Sequence, residues 1–180
     1  MLRGENMIIE LSQLFDDLEE RYFEITGQVD QSEMEVTDRD IEFHEPIRYK
    51  ADFFVLDDGS VEINLKVDYT YTEPCSKCLT ATKNSKTTTL SGKLVEGREE
   101  DFIDDEYDEN YILYENDKLD LGKYIKTQVY VSLPMKTICQ KDCKGLCSTC
   151  GMNLNENTCD CVEHTIDPRL ADLQKFFPKE

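Results

Sequence analysis

Long apolar runs are missing from this chain. Nothing in its 180 residues approaches the roughly 18 consecutive apolar side chains that a membrane span needs. The N-terminus has no basic region leading into an apolar stretch and a cleavage site. A cytoplasmic protein without a membrane partner is therefore expected. Positive charge is also scarce. There are 20 Lys and Arg against 39 Asp and Glu, a net charge of −19, so the average surface repels phosphate and attracts basic partners. That excludes a protein whose whole surface coats nucleic acid. Histidine is limited to His44 and His164. No Gly-rich phosphate loop, HExxH or GxSxG is present, and no nucleophile stands with a base in a recognisable pattern. An enzyme with a small-molecule substrate is accordingly not expected. Repeats and low-complexity linkers are absent as well, and 39% hydrophobic with 33% charged residues suits one domain, or one with a small appendage.

What is there reads first as strand. Tyr22 to Val29 and Ile47 to Leu56 alternate apolar and polar residues with β-branched and aromatic enrichment, and Asp57-Asp58-Gly59-Ser60 then marks a hairpin. From Ser60 to Tyr71 the apolar set Val61, Ile63, Leu65, Val67, Tyr69 and Tyr71 falls on every second position, which predicts one face packed and one face wet. Thr80 to Val95 reads as the returning strand. Further on, Glu96 to Asp117 holds eleven acids against one base, Arg98. Such dense like charge resists packing, so this segment is expected to be a solvated connection or, more pointedly, a decoy for phosphate or a dock for a basic protein. Leu121, Tyr124, Ile125 and Val129 follow at helical spacing, with Asp117 or Asp120 as the cap and Pro134 beyond the end. At the C-terminus Asp167-Pro168 opens a second stripe of Ile166, Leu170 and Leu173, which predicts a short docking helix.

The eight cysteines fall into four close pairs: Cys75/Cys78, Cys139/Cys143, Cys147/Cys150 and Cys159/Cys161. Cytosolic thiols stay reduced, so close pairs favour metal over disulfides, and four pairs make two four-thiolate tetrahedra without remainder. The preferred assignment is a local site of Cys147, Cys150, Cys159 and Cys161, closing a short loop at small entropic cost. Cys139 and Cys143 then meet Cys75 and Cys78, which staples the C-terminal module to the tip of the sheet hairpin. Free thiols are the alternative for the long-range pairs, and His164, three residues after Cys161, is a candidate replacement ligand. Gly145 and Gly151 fit a backbone that wraps around metal. Two structural zinc ions are expected.

One stretch escapes the acidity. Lys77, Lys83, Lys86 and Lys93 lie between Pro74 and Val95 with no acid among them, and Lys144 sits beside the later cysteines. If the long-range site forms, these lysines are expected to converge on it as an RNA-binding face. The blander reading is that they solubilise an edge strand or offset thiolate charge.

The order of these features resembles the YceD family, the large ribosomal RNA subunit accumulation proteins of bacteria and plastids. The resemblance rests on CSKCL, VSLPMKTIC, CKGLCSTCGMNLN, CDC and IDPRLADLQKF. It implies a non-catalytic ribosome-biogenesis factor supporting processing or accumulation of large-subunit (23S) rRNA. Its partners would be that rRNA or a basic ribosomal protein, which an acidic chaperone would hold without touching RNA. The expected architecture is α+β: an antiparallel, barrel-like β-sheet with helices and a C-terminal cysteine-rich, zinc-ribbon-like module. Residues 1–6 are expected to be disordered. Residues 7–133 would form the α+β domain, with the acidic segment at 96–117 and a helix near 118–132. Residues 134–180 would form the zinc-binding module with its helix packed on the sheet.

Overall fold

The computed structural model describes residues 7–14, 21–34, 36, 38–98 and 110–161. The expectations for residues 1–6, for most of the acidic segment (99–109), and for His164 and the C-terminal helix lie outside these residues. The chain divides into two compact units, residues 1–73 with 82–135, and residues 74–81 with 136–180.

The first unit is a five-stranded sheet among the described residues. It comprises β2 (Tyr22–Val29), β3 (Glu42–Val55), β4 (Val61–Pro74), β5 (Ala81–Glu96) and β6 (Tyr111–Tyr114), in that spatial order. Beside it, β1 (Ile8–Glu10), which leads into the single-turn helix α1 (Leu11–Leu14), pairs with β7 (Lys118–Asp120). The β3–β4 hairpin turns where the sequence signals it. Gly59 takes φ +80°, and the Asp58 carboxylate accepts from the backbone N–H and the hydroxyl of Ser60. Along β4 the period-two pattern holds, burying Ile63, Leu65, Val67, Tyr69 and Tyr71. In the next pairing Thr70 faces Ser85, Asp68 faces Thr87 and Asn64 faces Ser91, so β5 runs back along β4.

β3 begins five residues before the expected Ile47. A bulge between His44 and Arg48, with Glu45 at φ +66°, hides this extension, because it buries Phe43 and Ile47 four positions apart instead of an even alternation.

The 12-residue helix α2 (Leu121–Ser132) starts on Asp120, whose carboxylate accepts the Lys123 N–H at 3.1 Å. It buries Leu121, Ile125 and Val129 in one core with Phe53, Leu65 and Val67. Polar contacts fix its position over the strands. The Tyr69 and Ser132 hydroxyls lie 2.7 Å apart, Gln128 donates to the Thr88 hydroxyl at 2.7 Å, and the Tyr124 hydroxyl accepts the Leu113 N–H at 2.7 Å. Gln128 adds a polar tie to the Thr-rich β5, which also gives Leu94 to the core and has Leu90 packed against it.

The expected sheet is corrected in two respects. β6 pairs with β5 in parallel, from Lys93↔Tyr111 to Glu96↔Tyr114, where an antiparallel sheet was expected. No barrel closure is seen among the described residues, where β2 and β6 are the two ends of the strand order. Helix α2 covers the apolar face that closure would otherwise have to bury. Ile125 is fully buried in this arrangement. Ile125→Ala is expected to lower stability by about 2–5 kcal/mol, read as a shift in the urea unfolding midpoint.

Candidate metal centre

Both cysteine clusters lie in the second unit. The chain leaves β4 at Pro74 and turns through Cys75–Thr80, where the Cys75 N–H donates to the Thr80 carbonyl and the Leu79 N–H to the Cys75 carbonyl, each at 2.9 Å. The segment at Cys147 repeats this geometry: Cys147 N–H to Met152 carbonyl at 2.8 Å, and Gly151 N–H to Cys147 carbonyl at 2.9 Å. In both, the residue after the second cysteine is left-handed, Gly151 at φ +73° and Leu79 at φ +59°. Glycine adopts this conformation freely, whereas a leucine pays roughly 1–2 kcal/mol for it. Leu79 therefore carries strain at the position where its counterpart is relaxed. Superposing the two Cys-x-x-Cys stretches would have marked it in the sequence.

The structure brings Cys75, Cys78, Cys139 and Cys143 into one cluster and Cys147, Cys150, Cys159 and Cys161 into the other, with the sulfurs of each within 4.8 Å of one another. In the first, Cys75 Sγ lies 3.9 Å from Cys143 Sγ, and Cys78 Sγ 3.6 Å from Cys139 Sγ. Disulfide sulfurs would be about 2.05 Å apart. A tetrahedron with metal–sulfur bonds of about 2.3 Å has edges of about 3.8 Å, so the donor set and its spacing fit a tetrahedral metal ion. Four thiolates complete such a shell and leave no open position for water or substrate. Cys75, Cys78 and Cys143 are buried, Cys139 is half-buried, and the second cluster is more open, with Cys150 exposed.

Hydrogen bonds support the sulfurs from behind. Cys139 N–H donates to Cys75 Sγ at 3.3 Å, the Thr80 hydroxyl lies 3.3 Å from Cys78 Sγ, and the Asn155 amide donates to Cys143 Sγ at 3.3 Å. Gly145, at φ +78°, lets the chain pass the Lys77 carbonyl, which a Cβ there would meet at 3.1 Å. Asn155 and Thr80 were not singled out in the sequence, since no spacing rule marks an amide or hydroxyl behind a ligand.

Without a cation between them the thiols cannot ionise alike. Burial opposes charge on Cys75, but the N–H groups of Lys77, Cys139 and Cys78 outweigh it and bring the thiol down to about 6. The N–H groups of Cys150 and Thr149 bring Cys147 to about 6. Burial and the neighbouring thiols push Cys139 up to about 12, and contact with Cys150 does the same to Cys161.

The lysines are placed differently from one another. Lys83, Lys86 and Lys93 are exposed along β5 in the first unit. Lys83 and Lys93 share one face but stand ten residues apart, about 33 Å on a strand, while Lys86 has the opposite parity. These three do not converge on one point. Lys77 and Lys144 belong to the second unit, where the Lys77 ammonium donates to the Cys143 carbonyl at 3.3 Å.

A five-stranded α+β unit and a second unit with two four-cysteine clusters define the class: a sheet protein carrying two all-cysteine clusters whose spacing suits a metal ion. A family model described as "Large ribosomal RNA subunit accumulation protein YceD" matches residues 63–177, well over half of the chain, and the protein belongs to this family. Two curated relatives are both named "Large ribosomal RNA subunit accumulation protein YCED homolog 1, chloroplastic". The Arabidopsis thaliana protein is 36% identical over 56 residues, 31% of this chain and 17% of its own length. The Zea mays protein is 35% identical over 61 residues, 33% of this chain and 20% of its own. The match thus spans a fifth or less of these relatives. No solved structure matches the chain.

Because Cys139 and Cys161 hold their protons at neutral pH, each arriving ion must displace at least one. Metal affinity is expected to rise about tenfold or more per pH unit between pH 7 and 9, and to steepen below about 6, where Cys75 and Cys147 also take up protons. Competition against a chelator of known proton affinity measures this slope; a flat profile would contradict it.

Proposed function

We propose that the protein is a non-catalytic factor in large-subunit ribosome biogenesis, supporting processing or accumulation of 23S rRNA, and that both cysteine clusters hold structural zinc. The observation that carries this reading is that the family match, residues 63–177, includes all eight cysteines of the two clusters. Zinc is the ion of choice for a closed shell of four thiolates, and a closed shell supports a structural role over a catalytic one. Contact with rRNA phosphates would run through Lys83 and Lys93, spread along one face of β5, with Lys86 adding positive charge from the other face. Lys77 and Lys144 would add to it or offset thiolate charge; the 3.3 Å contact of Lys77 with the Cys143 carbonyl favours the second role for that residue.

A second reading is favoured by the net charge of −19: an acidic chaperone or adaptor for a basic ribosomal protein, without RNA contact. Reversing the three β5 lysines separates the two. Under the first reading Lys83→Glu/Lys86→Glu/Lys93→Glu weakens binding to 23S rRNA fragments and flattens the dependence of log affinity on log salt by about 0.7–0.9 per lost contact. In cells lacking their own family member, the variant then fails to restore the ratio of 23S to 16S rRNA. Unchanged rRNA accumulation, with binding to a basic ribosomal protein preserved, supports the chaperone instead.

A further inference from the structure

Asn155 lies in the loop between Cys150 and Cys159, which the second cluster closes, yet its side chain serves the first. Its Nδ2 donates to Cys143 Sγ at 3.3 Å and to Asn153 Oδ1 at 2.9 Å, which uses both amide hydrogens. Its Oδ1 accepts the backbone N–H of Lys144 at 2.8 Å. A backbone N–H can only donate, so the amide oxygen must face Lys144 and the NH2 must face the sulfur. The same loop reaches the first cluster a second time, because Asn153 Nδ2 lies 3.4 Å from the Thr80 hydroxyl, itself 3.3 Å from Cys78 Sγ. The backbone holds the loop there through Leu154 N–H to the Gly145 carbonyl at 2.9 Å and the bridge between Leu146 and Asn153.

We infer that Asn155 is a positioning residue that couples the two metal centres: metal in the second cluster orders the loop that delivers an N–H donor to a thiolate of the first, so the two ions bind with positive cooperativity. The inference rests on both clusters binding metal as proposed above. An N–H···S bond withdraws charge from the thiolate and steadies the ligand, and loss of such a supporting contact generally costs about 10–100-fold in metal affinity. Linkage makes the effect reciprocal, so the first centre must favour the second by the same factor.

The test uses the full chain titrated with Co²⁺, followed by its thiolate charge-transfer absorption, and with Zn²⁺ against a chelator. Cys159→Ser/Cys161→Ser leaves the first centre alone, and Cys75→Ser/Cys78→Ser the second. Each isolated centre is expected to bind more weakly than in the intact chain, by one common factor. Asn155→Ala is expected to abolish that factor, to weaken the first centre, and to move its charge-transfer band to lower energy. Added to Cys159→Ser/Cys161→Ser it should change the first centre's affinity little further. Asn155→Asp keeps the acceptor for Lys144 but sets an oxygen against the sulfur, so it should weaken the first centre at least as much. Two ions bound independently, with affinity and spectrum indifferent to Asn155→Ala, would overturn the coupling while leaving the zinc reading intact. Failure of the intact chain to bind two ions would overturn the zinc reading, and the coupling with it.

Discussion

Four sulfurs held within 4.8 Å of one another are the constraint on which the second unit depends. Four thiolates at that distance repel, and four thiols there lack strong hydrogen bonds, so a divalent cation is the natural partner for the arrangement. Among the described residues of the second unit, the buried cluster is built from cysteine sulfurs in place of large apolar side chains. The buried set around the first cluster is Cys75, Cys78 and Cys143, with Cys139 and Leu146 packed against it. The first cluster ties residues 75–78 to 139–143, which are far apart in sequence, and the second closes a loop on itself. Backbone amides, the Thr80 hydroxyl and the Asn155 amide lie against the sulfurs of the first cluster, where they would spread the charge that a dication leaves on four thiolates.

Much of the sheet was legible in the sequence because its alternation is clean. Val61 to Tyr71 declares its buried face outright, and Gly59 marks the turn. The helix was equally plain from Leu121, Ile125 and Val129 with Asp120 ahead of them. What the pattern hid were places where the chain departs from regularity. The bulge at Glu45 breaks the alternation that would have shown the full length of β3. The parallel pairing of β6 depends on the path of a connection, which side-chain pattern does not encode. A barrel was a reasonable expectation for long strands with one apolar face, but that face is satisfied by α2.

The cysteine pairs were legible for a different reason. Ligand spacing is local, so Cys-x-x-Cys reports its own bend, and four pairs admit few sensible groupings. The grouping of Cys75 and Cys78 with Cys139 and Cys143 is the one the structure displays. The supporting residues carry no such signature: Leu79 stands in a left-handed position where its counterpart is Gly151, and Asn155 reads as one more loop asparagine. Lysine placement was the least legible element, since a count of charges does not say which face of a strand they occupy. Lys83 and Lys93 at two ends of one face, with Lys86 on the other parity, give dispersed charge and no focus.

The most direct test is native mass spectrometry of the full chain purified under reducing conditions, combined with X-ray absorption at the zinc edge. Two zinc ions per chain, each with four sulfur neighbours at about 2.3 Å, is the predicted result. A single ion per chain, or nitrogen or oxygen in the average shell, would contradict the double four-thiolate module and the account built on it.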